Sequence, residues 1–120
     1  MSFAASITLK DRSAANAVFN RIKSLAGKVY YLLSTATLAL PYGFTIGQQM
    51  ASKPTAASRH LFQVVVPYNT MKGDLAQVTI NLTCSHLADA ARTDIDNGLA
   101  NVKEFISQTA LIDAWLRGEE

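Results

Sequence analysis

The segment QVTINLT, residues 77–83, carries a hydrogen-bonding side chain at every second position. These positions are Gln77, Thr79, Asn81 and Thr83, and the positions between them are Val78, Ile80 and Leu82. This alternation is typical of a strand with one buried face. Uncharged amides and hydroxyls on the other face suit the exposed base edges of single-stranded or looped RNA. Simple contact with solvent, or packing on another protein, remains an alternative.

Two neighbouring segments, GFTIGQQM (43–50) and RHLFQVVV (59–66), extend both faces by the same alternation. The predicted polar face contains Thr45, Gly47, Gln49, Arg59, Leu61, Gln63, Val65, Gln77, Thr79, Asn81 and Thr83. The predicted apolar face contains Phe44, Ile46, Phe62, Val64, Val66, Val78, Ile80, Leu82 and Cys84. Arg59 is the single charge expected on the polar face, and helices are expected to cover the apolar face.

The charge is distributed unevenly along the 120 residues. Residues 1–75 carry a net charge of +6 and residues 76–120 a net charge of −4, although the total is only +2. A basic first part and an acidic last part favour a polyanion on one side and solvent on the other. Chance clustering is the alternative explanation.

Side chains for catalysis or metal binding are few. Cys84 is the only cysteine, and its alternation with Leu82 predicts a buried small residue. His60 and His86 do not lie in a metal-like spacing, and no glycine-rich phosphate loop is present. We therefore expect no catalytic residue, metal or cofactor. No apolar run is long enough to span a bilayer, so no membrane partner is expected, and the N-terminus does not resemble a signal peptide.

The elements follow the order of strands and then helices, which predicts one α+β domain over residues 1–120. Strands are predicted within about 1–86, beginning with a hairpin of SITLK and NAVFNRI, and two helices within about 88–117. Two short helices are too few to cover the whole sheet, which favours a dimer in which helices cross to the partner. The expected dimer interface contains Ile95, Leu99, Val102, Ile112 and Trp115.

The order of elements resembles the coat proteins of small single-stranded RNA bacteriophages, the levivirus type. The likeness is strongest in AQVTINLT (76–83), ARTDIDNGLA (91–100) and ALIDAWL (110–116). The pair YGFTIGQQ (42–49) and RHLFQVVVP (59–67) is similar to the central hairpin of that family. The resemblance covers nearly the whole chain.

This resemblance implies an N-terminal β-hairpin, a five-stranded antiparallel sheet and two C-terminal helices, with two chains interlocked around a continuous ten-stranded sheet. Dimers would form an icosahedral shell, assembled in the bacterial host cytoplasm and present in the virion. The polar face would contact single-stranded genomic RNA, and it would bind an RNA hairpin that represses replicase translation. A phage maturation protein is a further implied partner. The loop 51–58 would make contacts at symmetry axes.

The implied RNA-binding positions are Val29, Thr45, Gly47, Gln49, Arg59, Leu61, Gln63, Leu75 and Gln77, to which the alternation adds Thr79. Some of them depart from the family pattern. Leu75 replaces a stacking tyrosine, and Leu61 and Gln63 replace threonine and lysine, so general genome contact is favoured over one particular hairpin. A dimeric cytosolic RNA-binding regulator without a shell is one alternative. A small α+β enzyme or ligand-binding domain is another.

Overall fold

The computed structural model describes residues 3–37, 40–53 and 55–118, which contain six strands and two helices. The elements are β1 (Ser6–Lys10), β2 (Asn16–Leu25), β3 (Lys28–Leu33), β4 (Gly43–Gln49), β5 (Ser58–Asn69), β6 (Leu75–His86), α1 (Arg92–Ser107) and α2 (Thr109–Leu116). The chain divides into two compact units, residues 1–87 with the strands and residues 88–120 with the helices. This order gives the α+β class that the sequence predicts.

The six strands form one antiparallel sheet in the order β1-β2-β3-β4-β5-β6. Short connections place each strand beside the next one in the chain. The expectation of a separate hairpin followed by a five-stranded sheet is wrong. Phe19 in β2 lies opposite both Ile7 in β1 and Leu33 in β3, so the N-terminal hairpin continues directly into the sheet. A bulge between Arg21 and Lys23 shifts the β2–β3 register.

The core lies on the apolar face of the first four strands. Phe19, Tyr31 and Phe44 are only 2–3% exposed. The Phe44 ring centroid lies 4.9 Å from that of Phe19 and 4.8 Å from that of Tyr31. The Tyr31 hydroxyl donates a 2.6 Å hydrogen bond to the carbonyl of Ala4, which satisfies the one polar atom of this side chain. Each of these buried rings contributes about 1.5–3 kcal/mol relative to exposure.

The β2–β3 turn depends on Gly27. Its φ of +77° lies in the left-handed region, and a Cβ at this position would be 2.7 Å from the carbonyl oxygen of Gln48. The backbone N–H of Gln48 also donates a 2.7 Å hydrogen bond to the Gly27 carbonyl. Glycine therefore allows the turn to approach the end of β4 closely.

The β1–β2 turn is organised by the carboxylate of Asp11. It accepts hydrogen bonds from the Ser13 backbone N–H at 2.9 Å, the Ser13 hydroxyl at 2.7 Å and the Ala15 backbone N–H at 3.1 Å. These bonds, the Ser13 hydroxyl foremost, lower the pKa of Asp11 because they favour its charged form. Ala14 within the turn has a φ of 62°, a conformation that costs a residue with a Cβ some strain.

The helical unit has two short helices and no buried residue in either of them. Arg92 and Asp96, one turn apart on α1, form a 2.8 Å ion pair that raises the pKa of Arg92. The rings of Phe105 and Trp115 meet edge to face, with centroids 6.0 Å apart, and link α1 to α2. Neither α1 nor α2 has the length and apolarity that crossing a bilayer requires.

Candidate nucleic-acid interface

The strand register confirms the two faces that the alternation predicts for β4, β5 and β6. Thr45 lies opposite Gln63, and Gln63 lies opposite Asn81, so these three side chains form one row across the polar face. On the other face, Phe44 lies opposite Val64, which lies opposite Ile80. Directly opposed residues share a face of the sheet. The polar row is therefore a real surface, while its contact with RNA stays a prediction.

Val29 does not belong to this polar face, and its predicted place there is wrong. It lies opposite Ile46 on the apolar face and packs against the aromatic core. Its neighbour Tyr30 lies opposite Thr45 and takes the place on the polar face. The core determines this phase, because Tyr31 must face Phe44.

Tyr30 adds an aromatic ring to the polar face, which the sequence reasoning missed. Lys23 lies opposite Tyr30, and its Nζ is 4.7 Å from the ring centroid, within the range of a cation–π contact. Bases stack on such rings, and each stacked base contributes about 1–3 kcal/mol of binding. The signal in the sequence was the alternation of KVYYLL, in which one tyrosine must point away from the core.

All charged residues of the six described strands are basic. They are Lys10, Arg21, Lys23, Lys28 and Arg59, and the strands contain no aspartate or glutamate. Arg59 is not the single charge of the polar face, because Lys28 lies opposite Gly47 and Lys23 opposite Tyr30 on that same face. The sheet therefore offers cations to phosphates without an opposing carboxylate, as a nucleic-acid surface requires.

A shallow cavity of about 460 Å³ lies at the end of this face. Its lining includes Lys28, Gly47, Gln49, Arg59 and Leu61. A Cβ built on Gly47 would lie 3.5 Å from the Leu61 Cβ and 3.6 Å from the Lys28 Cγ, so the missing side chain leaves a notch between them. The cavity thus combines the cations Lys28 and Arg59 with the apolar side chain of Leu61 and the amide of Gln49. Together these groups can hold a base and its phosphate.

Leu75 and Gln77 lie on the polar face but far from this cavity. Leu75 lies opposite Asn69 and Gln77 opposite Pro67, whereas Arg59 is at the other end of β5. Asn69 is ten residue steps along β5 from Arg59, a distance of about 33 Å at about 3.3 Å per step. The predicted residues therefore form an extended surface and not one compact pocket. Thr79, opposite Val65, lies near the Leu75 end.

The side chains expected at the dimer interface lie in the helical unit and are accessible. Ile95 and Ile112 are half-buried, while Leu99, Val102 and Trp115 are exposed, with Trp115 at 62%. An apolar helix surface of this kind is typical of a region that meets another surface. Participation of these residues in a dimer stays a prediction.

Solved structures with the same fold come from virus-like particles. The chain superposes on the virus-like particle of bacteriophage AVE019 with a TM-score of 0.79 and 11% identity over 95% of this chain and 93% of that one. The virus-like particle of bacteriophage NT-214 superposes with a TM-score of 0.76 and 14% identity over 97% of this chain and 96% of that one. The virus-like particle of Wenzhou levi-like virus 1 superposes with a TM-score of 0.72 and 15% identity over 99% of this chain and 100% of that one.

The similarity lies in the structure rather than in the sequence. No protein-family model matches the sequence, and no curated protein matches it. The fold likeness extends over nearly the full length of both chains in each comparison. The chain therefore has the fold of chains in virus-like particles of bacteriophages and a levi-like virus, which agrees with the fold that the sequence resemblance indicated.

Proposed function

We propose that this chain is the capsid protein of a single-stranded RNA bacteriophage, which dimerises and assembles into a closed icosahedral shell around RNA. The observation that carries this proposal is the full-length fold likeness to chains of levi-like virus-like particles. The role is structural and places the protein in the virion. Two features of the sheet, its free edge and its basic polar face, support the two halves of the proposal.

β1 and β6 are the two edge strands of the sheet, and β6 is the longer one and pairs only with β5 among the described residues. It has 12 residues and contains no proline, lysine, arginine, aspartate or glutamate. Natural proteins usually protect such a long edge with charge, proline or a covering element. A two-fold axis would pair β6 with β6 of a second copy and join both six-stranded sheets into one.

The apolar side chains next to this edge also need a partner surface. Val78 is 47% and Ile80 56% exposed on the apolar face of β6. The helices carry further exposed apolar groups, among them Leu99, Val102 and Trp115. Helices of one copy that cover the sheet of the other would bury both sets at about 25 cal/mol per Å² of apolar surface.

The polar face would then line the shell interior and contact the genome. Its cations neutralise phosphates, and its amides, hydroxyls and Tyr30 ring contact bases. Because Leu75 cannot stack as an aromatic ring does, we favour general RNA contact as the main role. Binding of a replicase hairpin and of a maturation protein belongs to the same proposal and rests on the family resemblance.

Electron microscopy of the chain expressed alone in bacteria tests the proposal. We expect closed particles that contain host RNA. Particles would form because dimerisation and shell contacts need only the coat chain. If only dimers are found across a range of salt and protein concentrations, the capsid function is excluded. That result would favour the alternative of a dimeric RNA-binding regulator that forms no shell.

The RNA-facing surface has its own test. The triple variant Thr45→Glu, Gln63→Glu, Thr79→Glu adds negative charge to the polar face, and we expect it to fold and dimerise but to contain less RNA. The matched control is Thr45→Gln with Thr79→Gln, which adds similar bulk without charge and should retain RNA. Equal RNA content in the two variants would refute the inward orientation of this face.

A further inference from the structure

His60 and His86, 26 residues apart, meet on the apolar face of the sheet. Their Nε2 atoms are 2.9 Å apart, and their rings are nearly parallel, at 11°, with centroids 5.0 Å apart. His60 lies opposite Cys84, and His86 lies opposite Ser58, so both histidines are at the same end of β5 and β6. The β5–β6 register therefore brings the Nε2 atoms of two potential metal ligands into direct contact.

A backbone contact fixes the orientation of one ring. The Nδ1 of His86 is 2.9 Å from the carbonyl oxygen of Leu87. Because a carbonyl only accepts, this Nδ1 carries a hydrogen, and the lone pair of the His86 Nε2 accepts a hydrogen bond from the His60 Nε2–H. A metal ion would replace this hydrogen bond, and the His60 ring would then carry its hydrogen on Nδ1. A hydrogen bond from ring nitrogen to a backbone carbonyl is the contact that metal-ligating histidines usually make.

The separation of the two Nε2 atoms fits a shared metal ion. Two imidazole nitrogens bound at about 2.0–2.1 Å to one zinc ion lie about 2.9 Å apart at a right angle and about 3.3 Å apart at the tetrahedral angle. The hydrogen-bonded distance of 2.9 Å equals the right-angle value, so an ion with tetrahedral geometry would move the two nitrogens slightly apart. Neutral imidazole suits zinc, nickel and copper among the divalent ions.

We propose that His60 and His86 bind one divalent transition-metal ion such as Zn²⁺ through their Nε2 atoms and thereby tie β5 to β6. Among the described residues, no group of three or more metal-ligating side chains is present. Water therefore fills the remaining coordination positions, and Cys84 is not a ligand. The site is independent of the proposed capsid function, because both ligands belong to one sheet of one chain.

Zinc chloride added to the purified full chain, without a polyhistidine tag and freed of metal with EDTA, tests the site. We expect calorimetry to give one zinc per chain and zinc to raise the melting temperature, because an ion that binds only the folded state stabilises it. His60→Ala and His86→Ala should each weaken zinc binding at least tenfold, while the control Cys84→Ser should bind as the wild type does. Equal zinc affinity in wild type and histidine variants, or loss of binding in Cys84→Ser, would overturn the proposal.

Nuclear magnetic resonance of the wild type avoids any folding defect of the variants. The chain has only two histidines. We expect both imidazole side chains to shift on zinc addition and to reach a plateau at one equivalent per chain. Unchanged imidazole signals at saturating zinc, or a shift of only one ring, would refute the shared site.

Discussion

The two ends of the sheet treat their apolar side chains differently. At the β1–β4 end, one chain buries Phe19, Tyr31 and Phe44 almost completely. At the β6 end, Val78 and Ile80 have the same alternation but remain about half exposed. The aromatic core at the β1–β4 end is buried within one chain, whereas the apolar side chains at the β6 end are half exposed on an edge strand, where a second copy would cover them. The two ends therefore differ in how far a single chain buries their apolar side chains.

The largest effect is expected in the aromatic core at the β1–β4 end. A substitution there should change the stability of the folded chain, whereas a substitution at the β6 end should change dimerisation. Phe44→Ala removes a buried ring that contacts the rings of Phe19, Tyr31 and Phe62. We expect it to destabilise the folded chain by about 3–5 kcal/mol. Denaturant unfolding measures this change. The matched control Val66→Ala, at a half-buried position of β5, should cost less than half as much. Similar losses for both would remove the contrast between the two ends.

The next largest effect is a weaker dimerisation, expected after a substitution on the apolar face at the β6 end. Val78→Thr keeps the shape and places a hydroxyl in the proposed dimer interface, at about 1–3 kcal/mol for each copy. We expect weaker dimerisation in sedimentation equilibrium with a nearly unchanged circular dichroism spectrum. Thr79→Val is the control, because Thr79 points to the polar face and should leave dimerisation unchanged. If Thr79→Val weakened dimerisation as much as Val78→Thr, the interface would not lie on the apolar face.

On the polar face, the two ends of the sheet should differ in how much they contribute to RNA affinity. Tyr30→Leu removes the ring beside Lys23, and we expect RNA affinity to fall by about 1–3 kcal/mol for a stacked base. Filter binding of single-stranded RNA to dimers, at a fixed salt concentration, measures the change. Thr79→Val at the β6 end should have a smaller effect. Unaltered affinity in Tyr30→Leu would show that Tyr30 does not stack on RNA.

The smallest effect is a change in the stability of the folded chain, expected after a substitution in the β1–β2 turn. Ala14 has a φ of 62°, so Ala14→Gly removes strain, and we expect a gain of about 1 kcal/mol in stability. Thermal unfolding measures it. Ala15→Gly is the control, because only Ala14 has a positive φ among the described non-glycine residues. Stabilisation by both substitutions would contradict the strain explanation.

The sequence predicted the faces of β4, β5 and β6 because polar and apolar residues alternate strictly there. It did not predict the face of Val29, because nearly every position of KVYYLL is apolar or aromatic and the alternation has no clear phase. Packing of Tyr31 on Phe44 decides it. The six-stranded sheet and the meeting of His60 with His86 depend on strand register, a long-range property that local patterns do not contain.

We expect a second copy of the chain to cover the apolar side chains at the β6 end of the sheet. Native mass spectrometry of the protein at decreasing concentration, or after gentle dissociation of particles, tests it most directly. We expect the smallest folded species to have twice the 13.0 kDa mass of the chain. A folded, stable species with the mass of one chain as the main product would contradict it.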